Sequence, residues 1–182
     1  MRPLLDFFIL KIPSVLLRLV LLCTVISAPT FALLANFDSF EPYLFPLHYL
    51  QGNVRSVTNN VLVGHYPDYG LLSELDQRGV KIVISLLNDK LVYEKPLIRQ
   101  EVAYSRQLGL RGFNFKMDSQ EPATSPMNRA AMDNIKKVIA LNPRSKIYIH
   151  CYFGKHRTGY VEEQLRAVGV RTASAGSALD KS

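Results

Sequence analysis

Two side chains in the stretch Ile147-Tyr148-Ile149-His150-Cys151-Tyr152-Phe153-Gly154-Lys155-His156-Arg157-Thr158-Gly159 could do covalent chemistry together. They are the thiol of Cys151 and the guanidinium of Arg157, separated by residues 152–156. An apolar strand leads into the segment and a helix over Tyr160 to Val168 is expected to leave it. A loop of that length curls around one tetrahedral anion, with the N–H groups of residues 152–157 facing inward and the helix dipole adding positive potential. The same dipoles and Arg157 favour a thiolate at Cys151. The pattern is that of a nucleophile facing a phosphate.

The remaining sequence sets bounds on that reading. The chain has 182 residues, 48% hydrophobic and 20% charged, enough for one domain with an ordinary core. Its net charge of +7 favours anionic partners. No cluster of Lys and Arg interleaved with aromatics is present, so nucleic acid is not expected as a partner. Of the two cysteines, Cys23 lies in an apolar N-terminal stretch, which leaves Cys151 as the single thiol of the soluble part. A disulfide framework is thereby excluded, and neither a metal nor a cofactor is expected.

From Leu19 to Ala35 no residue is charged. The run is near the lower limit for a membrane span, and Thr30-Phe31-Ala32 and Leu33-Leu34-Ala35 match a signal cleavage site only in part. Residues 1–36 are read as a signal-anchor in preference to a cleaved signal. Arg2, Lys11 and Arg18 precede the run while Asp38 and Glu41 follow it, so the domain is expected on the extracytoplasmic side, anchored or exported. Residues 37–56 read as a connector, 57–170 as the domain, and 171–182, rich in Ala and Ser, as a disordered tail.

Within the domain, strands are expected at 60–64, 81–87, 113–117 and 146–150. Helices are expected on the face of Leu71, Leu72 and Leu75, over Pro96 to Leu108, and on the face of Met127, Ala130, Ala131, Ile135, Val138 and Ile139. The alternation predicts an α/β fold in three layers, a central, mostly parallel sheet flanked by helices, with an N-terminal hydrophobic helix in addition. Ligands of such sheets sit beyond the carboxyl ends of the strands, where both Cys151 and Asp118 fall.

The run His150-Cys151, residues 152–156, Arg157-Thr158 resembles the signature of the cysteine-dependent protein tyrosine phosphatase superfamily, and most closely that of its atypical dual-specificity members. The resemblance covers about Val57 to Val168. It implies a phosphatase acting on phosphate monoesters through a phosphocysteine at Cys151, with Arg157 holding two phosphate oxygens. The phosphate-binding loop would comprise Tyr152, Phe153, Gly154, Lys155, His156 and Arg157. Thr158 would donate to the leaving sulfur, and His150 would order the loop without being catalytic. The family's proton donor is an aspartate on an upstream loop. Asp118 fits, whereas Asp133 falls in a helix and Asp89 too far upstream.

The run Gly154-Lys155-His156-Arg157-Thr158-Gly159 further resembles the loop of plant and fungal members that act on inositol pyrophosphates, and a lysine here recurs in members that hydrolyse phosphoinositides. The expected partners are therefore a phosphorylated protein, or an inositol phosphate or phosphoinositide, together with a membrane through the N-terminal segment. Family members usually carry further helices beyond the signature, and little chain follows Arg157 here. An inactive phosphate-binding relative is accordingly a second reading. A rhodanese-like or arsenate-reductase-like thiol enzyme is a third, disfavoured by the late loop, by Asp118 and by the lack of a resolving thiol.

Overall fold

The computed structural model describes residues 14–40, 51–120 and 123–179. The N-terminal helix α1 spans Ser14–Ala35 and the one-turn helix α2 spans Phe37–Phe40. The domain follows as β1 (Arg55–Thr58), β2 (Val61–Gly64), α3 (Tyr69–Gln77), β3 (Val80–Ser85) and α4 (Glu94–Gln107). It continues with β4 (Arg111–Asn114), α5 (Pro126–Leu141), β5 (Lys146–His150) and α6 (His156–Leu179).

The five strands are ordered β1-β2-β5-β3-β4. Only β1 runs antiparallel to its neighbour. The central position of β5 follows from its composition, because every residue from Ile147 to His150 is buried, as a strand covered on both faces requires. Its side chains alternate between two cores. Ile147 and Ile149 join Val63, Ile84, Ile135 and Val161 on the face covered by α5 and α6. Tyr148 joins Leu72, Leu75 and Val83 on the opposite face, under α3 and α4. This is the expected three-layer α/β arrangement.

A third cluster lies beyond the carboxyl ends of the strands. There Tyr66, Leu87, Leu97 and Tyr152 pack around Phe37, brought in from α2. Residues 37–40 are thus helical and packed on the domain through Phe37, within the segment expected to be a connector, and residues 41–50 lie outside those described.

Several boundaries differ from the sequence expectation. Strand β1 was not expected, since its alternating half-buried and exposed residues carry almost no apolar signal. Strand β4 is Arg111–Asn114 and not 113–117. Beyond it Phe115 N–H still donates to Ser85 O at 2.9 Å and Met117 N–H to Leu86 O at 3.2 Å, so the apolar alternation marks an extended rim that outlasts the ladder. Helix α6 begins at His156, ahead of Tyr160. Gly159 N–H donates to Lys155 O at 2.7 Å, so the Thr158-Gly159 pair that reads as a turn already lies inside the first helical turn. The helix continues to Leu179, across most of the stretch expected to be a tail.

Leu97, fully buried in the third cluster, fastens α4 beneath the strand ends. Leu97→Ala should cost about 2–5 kcal/mol of stability, read as a lower urea midpoint.

Candidate active site

Strand β5 delivers Cys151 to the rim of the sheet, and α6 starts five residues on at His156. The connecting loop is held from outside by its carbonyls. His150 O accepts from Leu86 N–H at 2.8 Å, Tyr152 O from Tyr66 N–H at 3.1 Å, and Phe153 O from Gly52 N–H at 2.7 Å. Gly154 O accepts from Arg55 Nη1 at 3.0 Å. In a planar trans peptide, a carbonyl directed outward turns the following N–H the other way. The loop therefore presents N–H groups toward its own centre, as anion binding requires.

Gly154 makes the curl possible. Its φ is +69°, and a Cβ there would lie 2.5 Å from His65 N and 2.6 Å from Gly64 C. Gly64 is constrained in turn, because a Cβ there would lie 2.4 Å from the hydroxyl of Tyr148. That hydroxyl donates to His65 O at 2.6 Å, and burial keeps its pKa far above the ordinary phenol value.

Arg157, Cys151 and Thr158 are all buried. Arg157 meets a carboxylate that the sequence did not point to. Its Nη1 donates to Glu94 Oε2 at 3.0 Å and to Leu86 O at 2.9 Å, and its Nη2 donates to Glu94 Oε1 at 2.5 Å. Glu94 in turn accepts from Asn88 N–H at 2.6 Å. Burial alone would lower the Arg157 pKa, but the hydrogen bonds and charge of Glu94 outweigh it and raise it. A guanidinium has five N–H donors, and these three bonds leave Nε–H and one Nη2–H along a single edge, spaced for two oxygens of one anion.

A cavity of about 300 Å³ opens over this group. It is lined by Tyr93, Glu94, Ser119, Cys151, Tyr152, Phe153, His156 and Arg157. The structure thus brings Cys151, Tyr152, Phe153, His156 and Arg157 together around one space. The Thr158 hydroxyl lies 3.8 Å from Cys151 Sγ, beneath the loop. Gly154 serves as the outer hinge, and Lys155 is exposed and does not line the cavity. Burial first, and then the Glu94 carboxylate, raise the pKa of Tyr93, which keeps its hydroxyl protonated at the cavity wall.

Asp118 sits one residue from the lining. Its carboxylate accepts from Gln120 N–H at 3.0 Å, capping its own turn, while the adjacent Ser119 lines the cavity. Fully buried Asn128 clamps the Asp118 backbone from both sides, accepting from its N–H at 2.7 Å and donating to its carbonyl at 3.0 Å. His150 is fully buried, with Nε2 3.1 Å from Glu101 Oε2, and it stacks on Tyr148 with ring centroids 5.7 Å apart. It shares no wall of the cavity.

Glu94, Asn128 and Arg55 were missed by sequence reasoning. The partners of Glu94 and Arg55 lie 63 and 99 residues away, where no spacing rule links them, and Asn128 meets Asp118 across the loop between them. The weak signal available was an acidic residue two positions before Pro96, at the start of a helix.

No protein-family model matches the chain, and no curated protein matches it in sequence. Solved structures do match in fold. The Siw14 catalytic core superposes with a TM-score of 0.53 at 17% identity, covering 65% of this chain and 67% of that one. A DUF442 protein of Shewanella putrefaciens CN-32 gives 0.49 at 18%, covering 59% and 66%. TpbA of P. aeruginosa, in complex with pTyr, gives 0.45 at 16%, covering 59% and 57%. The match therefore spans about two thirds or less of the length of these structures. The chain thus shares the α/β fold of the Siw14 catalytic core.

Two outcomes follow from the charges around the loop. Glu94→Ala leaves the Arg157 guanidinium buried without its carboxylate and should destabilise the protein by about 3–5 kcal/mol in urea unfolding. Glu162 accepts from Arg55 Nε at 2.6 Å and from Arg166 Nη2 at 3.0 Å. Burial pushes the Glu162 carboxyl up, but the two arginines outweigh it and hold the pKa below the ordinary 4.5. A depressed carboxyl stabilises the fold above its unfolded pKa, and that stabilisation disappears as pH falls through the folded value. The gap in urea midpoint between the parent chain and Glu162→Gln should be widest near neutral pH and should close as the pH falls below 4.5 and through the depressed folded value.

Proposed function

We propose that the chain is a cysteine-dependent phosphoric monoester hydrolase working through a phosphocysteine intermediate. The observation that carries this reading is the single cavity in which Cys151, the free edge of Arg157 and the inward face of the loop converge. In the first step the Cys151 thiolate attacks phosphorus and the bond from phosphorus to the ester oxygen breaks. Arg157 and the loop N–H groups hold the equatorial oxygens as their charge changes. Asp118 gives its proton to the departing oxygen. In the second step water attacks phosphorus, Asp118 takes its proton, and sulfur leaves as thiolate assisted by the Thr158 hydroxyl. Protonation by Asp118 needs its carboxylate to leave Gln120 N–H and turn toward the cavity beside Ser119. Asn128 holds the backbone fixed while it does so.

The chemistry is the same whether the ester oxygen belongs to a phosphotyrosine, to a phosphoserine or to an inositol ring. The aromatic walls Tyr93, Tyr152 and Phe153 fit a ring next to the phosphate, which supports protein phosphotyrosine and inositol substrates alike.

Hydrolysis of aryl phosphates by the full chain tests the assignment. Cys151→Ser should reduce phosphate release to background. Asp118→Asn should slow phenyl phosphate by about 10²–10⁴-fold and leave 2,4-dinitrophenyl phosphate, whose leaving group needs no proton, nearly unchanged. Asn128→Ala should show the same selectivity in weaker form. A folded protein that releases no phosphate from either ester would overturn the assignment in favour of an inactive phosphate-binding relative.

A further inference from the structure

We propose that the phosphate monoester taken by this site is carried on a lipid headgroup, in the same membrane that α1 occupies. The inference rests on the phosphatase reading above and deepens it by naming the substrate class.

Helix α1 contains the 21-residue stretch Val15–Ala35, largely apolar with Arg18 its single charge, of mean hydropathy 2.0, and none of it is buried against the rest of the protein. At 1.5 Å per residue such a helix is about 30 Å long, the thickness of a bilayer's hydrocarbon core. Nothing in the described protein covers its apolar surface, and lipid is the medium that does.

Two residues past the end of this helix, the chain already packs against the catalytic cavity. Asn36 N–H and Asn36 Nδ2 both donate to Ala32 O, at 3.2 and 2.9 Å. Ser39 N–H donates to Asn36 O at 3.0 Å, and helix α2 has already begun at Phe37. Phe37 is buried, with its ring centroid 6.3 Å from that of Tyr93 and 5.8 Å from that of Tyr152. Both tyrosines line the catalytic cavity.

The cavity wall is therefore braced by a residue just past the end of the apolar run. Two residues of chain reach at most roughly 7 Å. The polar layer on each side of a bilayer is about 5–8 Å deep. Phe37 and the wall it supports consequently lie at headgroup depth. Phe40 and Val92, each 43% exposed, flank Phe37 and Tyr93 in sequence and add apolar surface of the kind that settles at a membrane interface. At this depth a lipid presents its terminal phosphate directly to the cavity, whereas a protein loop would have to be carried into the headgroup layer. The reaction keeps the form given above, with the headgroup oxygen leaving from phosphorus and taking the proton of Asp118.

The test uses the full chain reconstituted in phosphatidylcholine vesicles that contain a phosphatidylinositol monophosphate, with release of inorganic phosphate as the readout. A short-chain, water-soluble form of the same lipid, a phosphotyrosine peptide and an aryl phosphate provide the comparisons. The embedded lipid should be hydrolysed at least about tenfold faster than its soluble form at equal bulk concentration, because both are confined to one surface. The rate should follow the mole fraction of lipid in the vesicle. Inserting about 20 Gly/Ser residues between Ala35 and Asn36, with a mean reach of roughly 25 Å, should remove that preference and leave aryl phosphate turnover unchanged. Faster turnover of the soluble peptide than of the embedded lipid would overturn the proposal in favour of a phosphoprotein substrate. A lipid preference that survives the insertion would overturn the geometric argument. In both cases turnover of the aryl phosphate leaves the phosphatase reading standing. No release from any of the four esters by folded protein would remove both.

Discussion

The buried pair between Arg157 and Glu94 is the constraint on which the site depends. A guanidinium out of water is tolerated only where its donors are satisfied and its charge is met. Glu94 meets the charge and, with Leu86 O, most of the donors, and it occupies the Nη1/Nη2 end of the guanidinium beside the free edge. It also fixes the start of α4 against the turn at Asn88, because one carboxylate oxygen receives both Asn88 N–H and Arg157 Nη1. The sheet, the helix on one face and the loop thus meet at two carboxylate oxygens. Such pairs contribute little to net stability but make alternative placements of the arginine costly. The guanidinium is thereby kept in one orientation at the cavity.

The loop around this pair is shaped by an outward division of labour. Its carbonyls are engaged by Gly52, Arg55 and Tyr66 from one segment and by Leu86 just after β3, while its N–H groups face its interior. Arg55 reaches Gly154 O from β1 and is itself tied to Glu162 on α6, so the strand at one edge of the sheet steadies the loop and the helix that follows it. Support for the loop comes from residues 52–66, from α4 and from the buried Val161 on the first turns of α6.

The parts legible in the sequence were those whose signal is local. Strand β5 has the expected limits because a run of buried apolar residues ends at a histidine and a cysteine. The Cys151 and Arg157 positions were readable because one short loop contains both. Helices α3 and α4 were marked by Gly79 and Gly109, whose φ values of +88° and +68° are those of helix-ending glycines. The parts that could not be read depend on contacts across the fold. Glu94 lies just ahead of the helix expected from Pro96, Asn128 reads as a polar residue near a helix start, and Phe37 as part of a connector. Each acquires its role only when the sheet brings its partner near. Asp118 lay between these cases. Its place after a strand was legible, but the capping of Gln120 N–H by its carboxylate was not.

The isolation of Cys151 has a consequence for the lifetime of the protein under oxidative conditions. The only other cysteine is Cys23, exposed on the apolar helix α1 and remote in sequence from the cavity. A thiolate oxidised to sulfenic acid is normally rescued by condensation with a neighbouring thiol. With no such neighbour at the cavity, the first oxidation product either reacts with a backbone nitrogen of the loop or advances to the sulfinic acid, which reductants do not reverse. Restoring the thiol therefore falls to a small-molecule thiol able to enter the cavity of about 300 Å³, so the width of that opening also sets how long the free thiol survives.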